Sequence, residues 1–208
     1  MTGSDDSRRG GTIALAAGGT GGHLFPAEAL ARELMARGHP VVIHTERRGA
    51  AYASALQGIE HVVLPARSLA GGVAGKAKAA LAIGLAASRA RADLRRRGAA
   101  LMVGFGGYPS FAPALAAKSL GLPLLLHEQA TRLSMANRQL LRMADGVATS
   151  FADVAGLEGF DPAKVWQTGN PVRQSILDAR GDYPPFGEGE PLRLLVVGGS
   201  QSAQVFGQ

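Results

Sequence analysis

Short apolar runs alternate along this chain with longer stretches in which apolar residues return every three or four positions. This is the pattern of strands and covering helices in a parallel sheet. Residues 12–16 (TIALA) read as a first strand. Ala27, Leu30, Ala31, Leu34 and Met35 then form a helical stripe that Gly38 should end. Residues 41–44 and 62–64 are short β-runs, and residues 75–97 are helical by alanine and arginine content, with Gly84 a weak point. A strand over 99–103, a helix over about 110–120, a strand over 124–127, a helix around 134–143 and a strand over 147–150 follow. Glycines, prolines and acids between 178 and 191 mark a linker. Residues 192–197 (LRLLVV) then read as the first strand of a second sheet. The predicted organisation is a polar tail over 1–11, an α/β domain over 12–173, a linker over 174–191 and the opening βα step of another domain over 192–208.

Three of the predicted strands end in glycine clusters: Gly18-Gly19-Thr20-Gly21-Gly22, Gly104-Phe105-Gly106-Gly107 and Gly198-Gly199-Ser200. Glycine lets backbone N–H groups approach a bulky anion or sugar with no Cβ between them. Loops of this kind at the carboxyl ends of strands point to a nucleotide- or sugar-handling α/β protein. A dinucleotide fingerprint is imperfect, because Leu24 stands where its third glycine belongs, although Glu46 could mimic the ribose-binding acid. A Walker A loop fails, since Ala77 follows Lys76 where Ser or Thr should hold magnesium.

His23 sits where the first loop becomes a helix. The positive end of a helix disfavours imidazolium and keeps the ring available as a base; the alternative is a histidine that only bonds the turn. Glu128, at the end of a predicted strand, is either a second acid–base group or a structural carboxylate bonded to loop amides. Arg173, at the approach to the linker, could pair with a diphosphate or with a surface acid. Ser200 and Gln201 could offer a hydroxyl and amides to the same diphosphate.

Composition narrows the field. The 208 residues are 46% hydrophobic and 18% charged, enough to bury a sizeable core, and contain no cysteine, which removes disulfides and thiolate chemistry. The five histidines lack helical ligand spacing, so no metal site or other cofactor is expected. The polar N-terminus does not read as a signal peptide, and the apolar run over 79–88 is too short to span a bilayer. The net charge of +6 is concentrated between 67 and 98. There Arg67, Lys76, Lys78, Arg89, Arg91, Arg95, Arg96 and Arg97 face the single acid Asp93. Such a segment seeks a phosphate-rich surface or is a solvated helix face. With 5% aromatic residues and no interleaved basic–aromatic motif, nucleic acid is not an expected partner.

Residues 17–26 (AGGTGGHLFP), 104–108 (GFGGY), 126–129 (LHEQ), 169–173 (GNPVR) and 197–201 (VGGSQ) together resemble one family. It is the bacterial transferase (MurG) that adds N-acetylglucosamine to the lipid-linked muramyl-pentapeptide precursor of peptidoglycan. The resemblance implies a GT-B architecture of two Rossmann-like domains. The first takes the acceptor and docks, as a peripheral protein, on the cytoplasmic face of the bacterial inner membrane; the second holds UDP-GlcNAc. It implies that His23 is a candidate base, and Glu128, from its place at the strand end, is the second catalytic candidate. Thr20, Gly21, Gly22, Gly106, Gly107, Tyr108 and Gln129 would line the substrate cleft, and Arg173, Ser200 and Gln201 would contact the donor. It also makes the basic segment a membrane-docking surface. The family usually has Asn where this chain has Ala130, so a donor- or acceptor-side hydrogen bond is either missing or supplied elsewhere, with Asn137 the candidate, and Ser202-Ala203-Gln204 replace the usual Gly-Ala-Arg. The family's uracil-binding segments would lie beyond residue 208, so the chain alone is expected to be inactive. A non-catalytic membrane- or lipid-binding remnant and a nucleotide-binding oxidoreductase domain are the alternatives.

Overall fold

A computed structural model describes residues 10–65 and 73–182, together with Pro191, Leu194 and Leu195; for residues 53 and 73–77 it describes the backbone alone. The chain divides into two units, Met1–Arg173 and Gln174–Gln208.

The first unit is built on seven parallel strands: β1 (Thr12–Ala16), β2 (Val41–Thr45), β3 (His61–Val63), β4 (Ala99–Gly104), β5 (Leu124–Glu128), β6 (Gly146–Thr149) and β7 (Val165–Gln167). Their spatial order is β3-β2-β1-β4-β5-β6-β7. Its first six positions follow the doubly wound Rossmann order, which places the topological switch point between β1 and β4. The helices are α1 (Gly21–Ala36), the one-turn α2 (Arg47–Ala50) and α3 (Ala53–Leu56), α4 (Val73–Arg96), α5 (Phe111–Ser119) and α6 (Met135–Leu140).

Because a strand sends alternate side chains to opposite faces, each inner strand feeds two cores. On one face Ala14, Ala16, Val42, Met102, Leu124, Leu126 and Val147 meet Ala86, Ala90 and Leu94 of α4, Ala116 and Ala117 of α5, and Leu140. On the other, Leu15, Val41, Ile43, Val103 and Phe105 meet Leu24, Ala27 and Ala31 of α1 with Leu56 and Ile59. The abundant alanine lets α4 and α5 approach each other closely. Each fully buried leucine in these layers contributes about 1.5–3 kcal/mol.

Several expectations need correction. The α1 stripe is narrower than its periodicity predicts, since Ala27 and Ala31 are buried while Met35 is 41% exposed. Leu24, Pro26 and Glu28 complete the buried face instead. The α4 helix runs from Val73 through Gly84 to Arg96, beginning two residues before the expected start. The helix expected to run to 143 changes to a 3₁₀ turn at Leu141–Met143. Strand β7 and the short helices α2 and α3 were not anticipated. In the second unit, Gln174–Asp178 form a short helix, α7, inside the stretch read as linker. Leu194 and Leu195, within the strand expected over 192–197, carry no regular structure and are exposed. Ser200, Gln201 and the third glycine cluster lie outside the described residues, as does the Lys76 side chain.

Candidate active site

The carboxyl ends of β1 and β4, on either side of the switch point, deliver the first two glycine loops to one place. Gly19, Gly106 and Gly107 have φ of +85°, +83° and +72°, a region in which an L side chain is strained. The two loops also touch. A Cβ on Gly107 would stand 3.2 Å from the Gly18 carbonyl oxygen and 3.6 Å from His23 Nδ1. A Cβ on Gly106 would stand 3.0 Å from Ser134 Oγ, 3.3 Å from His23 Cδ2 and 3.4 Å from Asn137 Nδ2. His23, Ser134 and Asn137 therefore converge on Gly106, and only glycine fits there.

His23 occupies the first turn of α1, whose N-cap Thr20 is extended and makes no side-chain bond to the helix amides. The Thr20 hydroxyl pairs with His23 Nδ1 at 3.1 Å instead. The positive end of this 16-residue helix thus has no side-chain cap, and the His23 and Leu24 N–H groups bond the Thr20 carbonyl, each at 3.2 Å. Burial holds the His23 pKa below the usual imidazole value, against an opposing pull from the Glu128 charge. The ring is neutral at pH 7, as a base must be. The dominant cause is desolvation rather than the helix end that the sequence suggests.

Glu128 makes the loop-amide bonds expected of the structural alternative. It is 2% exposed, and both of its oxygens are engaged. Oε1 accepts the Ala130 N–H at 3.2 Å, while Oε2 accepts the Ser134 N–H at 2.8 Å and Asn137 Nδ2 at 3.0 Å. A carboxylate so occupied orients the 129–137 loop and is poorly placed to exchange protons with a ligand. Asn137 is likewise fully buried, and its amide donates to Glu128 and to the His127 carbonyl at 3.0 Å. Its Nδ2 is therefore committed to the loop, while its buried Oδ1 has no partner among the described residues. Gln129 turns back to the second loop and donates to the Phe105 carbonyl at 2.9 Å. Tyr108 is exposed at the mouth of that loop.

Glu46 is also committed. Its carboxylate accepts the N–H groups of Arg48 at 2.8 Å, Gly19 at 3.1 Å and Gly49 at 3.2 Å, capping α2 and pinning the first loop. It is therefore not free to bind a ribose, which removes the support for the oxidoreductase alternative. Arg173 lies over the Phe25 ring, 4.0 Å from its centroid. Phe25 itself packs where a Gly21 Cβ would be, within 2.6 Å. The arginine thus stacks on a residue of the first turns of α1.

The basic segment divides. Lys78, Arg89, Arg91 and Arg95 are exposed on α4, alongside Leu81 (75% exposed) and Leu85 (50%). Arg97 does not belong with them. Its side chain is 19% exposed and bonds both Asp93, at 2.9 Å, and Glu60. Arg96 is exposed but also pairs with Asp93. Burial would raise the Asp93 pKa, but bonds from His44, at 2.9 Å, and Arg97 outweigh it and keep the carboxylate ionised.

Ser134 and Phe25 were not among the candidates read from the sequence. The S-x-x-N pattern at 134–137 was a legible signal, for Ser134 Oγ caps α6 through the Asn137 N–H at 3.2 Å. Among the described residues there is no cluster of three or more metal-ligating side chains, and no helix is long and apolar enough to cross a membrane.

The site and sheet define a glycosyltransferase N-terminal domain. Residues 13–149 match the Glycosyltransferase family 28 N-terminal domain, and the chain belongs to that family. Within it, the chain is 49% identical over 197 residues to the UDP-N-acetylglucosamine–N-acetylmuramyl-(pentapeptide) pyrophosphoryl-undecaprenol N-acetylglucosamine transferase of Rhodospirillum centenum. It is 44% identical over 202 residues to the enzyme of the same name from Paramagnetospirillum magneticum. Each match covers 94% of this chain, which spans about half the length of these curated relatives (52% and 53%). The crystal structure of Acinetobacter baumannii MurG superposes with a TM-score of 0.62 at 28% identity, over 84% of this chain and 50% of that one. The MurG resemblance carried by the sequence motifs is borne out.

Proposed function

We propose that this chain supplies the acceptor-binding and base-bearing half of an inverting N-acetylglucosaminyltransferase. The donor would be UDP-GlcNAc, and the acceptor an undecaprenyl-diphosphate-linked MurNAc-pentapeptide. The observation that carries this reading is the neutral His23 imidazole, held beside Gly106 and Gly107 at the sheet's switch point. When Nδ1–H donates to Thr20, Nε2 keeps a lone pair. It can take the proton from the acceptor's C4 hydroxyl as that oxygen attacks the anomeric carbon. The bond from that carbon to UDP breaks, and the departing diphosphate carries the displaced electron pair. The open first turn of α1 and the Arg173 guanidinium stabilise that charge without reorganising. Residues 12–173 form the acceptor domain in this reading, and residues 192–208 belong to the donor side. The exposed face of α4 rests on anionic lipid, its cations reaching phosphate while Leu81 and Leu85 meet the interface.

Nuclear magnetic resonance of the full chain tests the assignment. Addition of a soluble short-prenyl diphosphoryl-MurNAc-pentapeptide should shift the His23 ring and the Gly106 and Gly107 amides. If those resonances stay in place while the ligand binds elsewhere, or does not bind, the acceptor assignment is wrong.

A further inference from the structure

Two open cavities flank α6, and both are lined by Arg138. One, of about 490 Å³, is bounded by Met135, Arg138 and Arg142. The other, of about 480 Å³, is bounded by Arg132, Leu133, Arg138 and Glu158. All three arginines are exposed, and among the described residues no carboxylate bonds any of them. Arg138 and Arg142 stand four residues apart across the junction of α6 with the 3₁₀ turn, a spacing at which like charges repel. Glu158, the one acid among the lining residues, accepts the Gly156 N–H at 3.1 Å, and its charge also interacts with Arg132 and Arg138; one carboxylate against three arginines leaves the groove with net positive charge. Helix α6 begins at the candidate site, because its N-cap Ser134 shares the Gly106 notch with His23.

We propose that the groove of Arg132, Arg138 and Arg142 binds the carboxylates of the acceptor's stem peptide. This rests on the acceptor reading above and adds a specificity site to it. A pentapeptide on the muramyl group ends in a carboxylate, and an arginine fork recognises that group with two parallel hydrogen bonds. Sugar and peptide would then be held at adjacent points, the C4 hydroxyl at His23 and the stem along α6. An acceptor lacking the peptide would not have this anchor.

Calorimetric titration of the full chain with soluble MurNAc-pentapeptide tests the proposal. Arg138→Gln/Arg142→Gln should weaken binding by about tenfold or more, the scale of losing a charge-assisted hydrogen bond. The C-terminal amide of the same peptide should bind the unaltered chain more weakly by a similar factor, a comparison that no folding defect can imitate. Equal affinity for acid and amide, or for the double variant and the original, overturns the proposal. So does a double variant that keeps its peptide affinity but releases phosphatidylglycerol vesicles, since the arginines would then serve a lipid surface. A short-prenyl diphosphoryl-MurNAc without peptide separates the two readings. If it binds while the peptide adds nothing, the acceptor assignment stands and the groove proposal falls; if neither ligand binds, both fall.

Discussion

The Thr20 hydroxyl lies 3.1 Å from Nδ1 of His23, and this pairing decides which imidazole nitrogen is left for chemistry. With Nδ1 protonated toward Thr20, Nε2 is the base; with the threonine donating, Nε2 carries the proton instead. Thr20→Val removes the constraint, whereas Thr20→Ser keeps it. The expected result is a changed His23 tautomer ratio, read from imidazole nitrogen shifts, in the valine variant alone. An unchanged ratio in Thr20→Val would show that Thr20 does not position the ring.

In an assembled, active transferase, His23→Ala should lower the catalytic rate by roughly 10²- to 10⁴-fold, the usual range for loss of a general base. Its folding should remain intact. A rate within a few-fold of the original would remove His23 from the mechanism.

Glu128 predicts the opposite balance. Glu128→Ala leaves the amides of Ala130 and Ser134 and the Asn137 side chain without their acceptor. It should cost on the order of 3 kcal/mol in chemical denaturation. Full stability combined with abolished activity would instead return Glu128 to a catalytic role.

Gly106→Ala should both destabilise the chain by about 1–3 kcal/mol and displace the His23 ring. The new methyl would meet Ser134 and His23 at a φ of +83°. Gly121→Ala is the control, since its φ is +73° with nothing within 4 Å of the added methyl. It should show strain alone. Equal effects of the two variants on the His23 ring resonances would refute the close packing at Gly106.

Burial also lowers the His127 pKa, against a hydrogen bond to the Gly169 carbonyl and the Glu128 charge. Together with His23 it makes stability depend on pH. The unfolded chain takes up protons near the ordinary value of 6.5 that the folded chain refuses. This contribution is therefore complete above 6.5 and is lost as pH falls from there through the lowered native values. Denaturation midpoints measured from pH 8 downwards should decline with acidification, and His23→Gln/His127→Gln should flatten the slope. An unaltered slope in the double variant would assign the pH dependence to other groups.

Lys78, Arg89, Arg91 and Arg95 changed together to Gln should release the chain from phosphatidylglycerol vesicles at low salt. Each cation near such a surface contributes on the order of 1 kcal/mol, and the attraction decays within a Debye length. Arg97 is unsuitable for this test, because it braces α4 through Asp93 and Glu60. Flotation that is unchanged in the quadruple variant would make α4 an ordinary solvated face.

Much of this protein was legible in its residue pattern. The alternation of apolar runs with helical stripes marked β1 to β6 and the longer helices, since these elements bury enough surface to impose a period. The glycine clusters and His23 were visible because few loop chemistries place those residues after a strand. Strand β7 was not visible, because three residues carry no period. It pairs in parallel with β6, where the absence of a Cβ on Gly146 leaves room for the Trp166 ring.

What the sequence could not decide was which charged groups are free. Glu46, Glu128 and Arg97 look like ligand-seeking residues when read in order, and each is committed to partners brought to it by the fold. For Arg97 one of those partners, Glu60, lies 37 residues away. The sequence by itself determined the element order, the family motifs and a base candidate, because these depend on local periodicity and backbone freedom. Only the tertiary structure decided that burial lowers the His23 pKa, that both Glu128 oxygens are bonded to the 130–137 segment, and that three arginines beside α6 are left facing solvent. Desolvation and charge pairing depend on neighbours that are far apart in the chain and become adjacent only when the sheet is assembled.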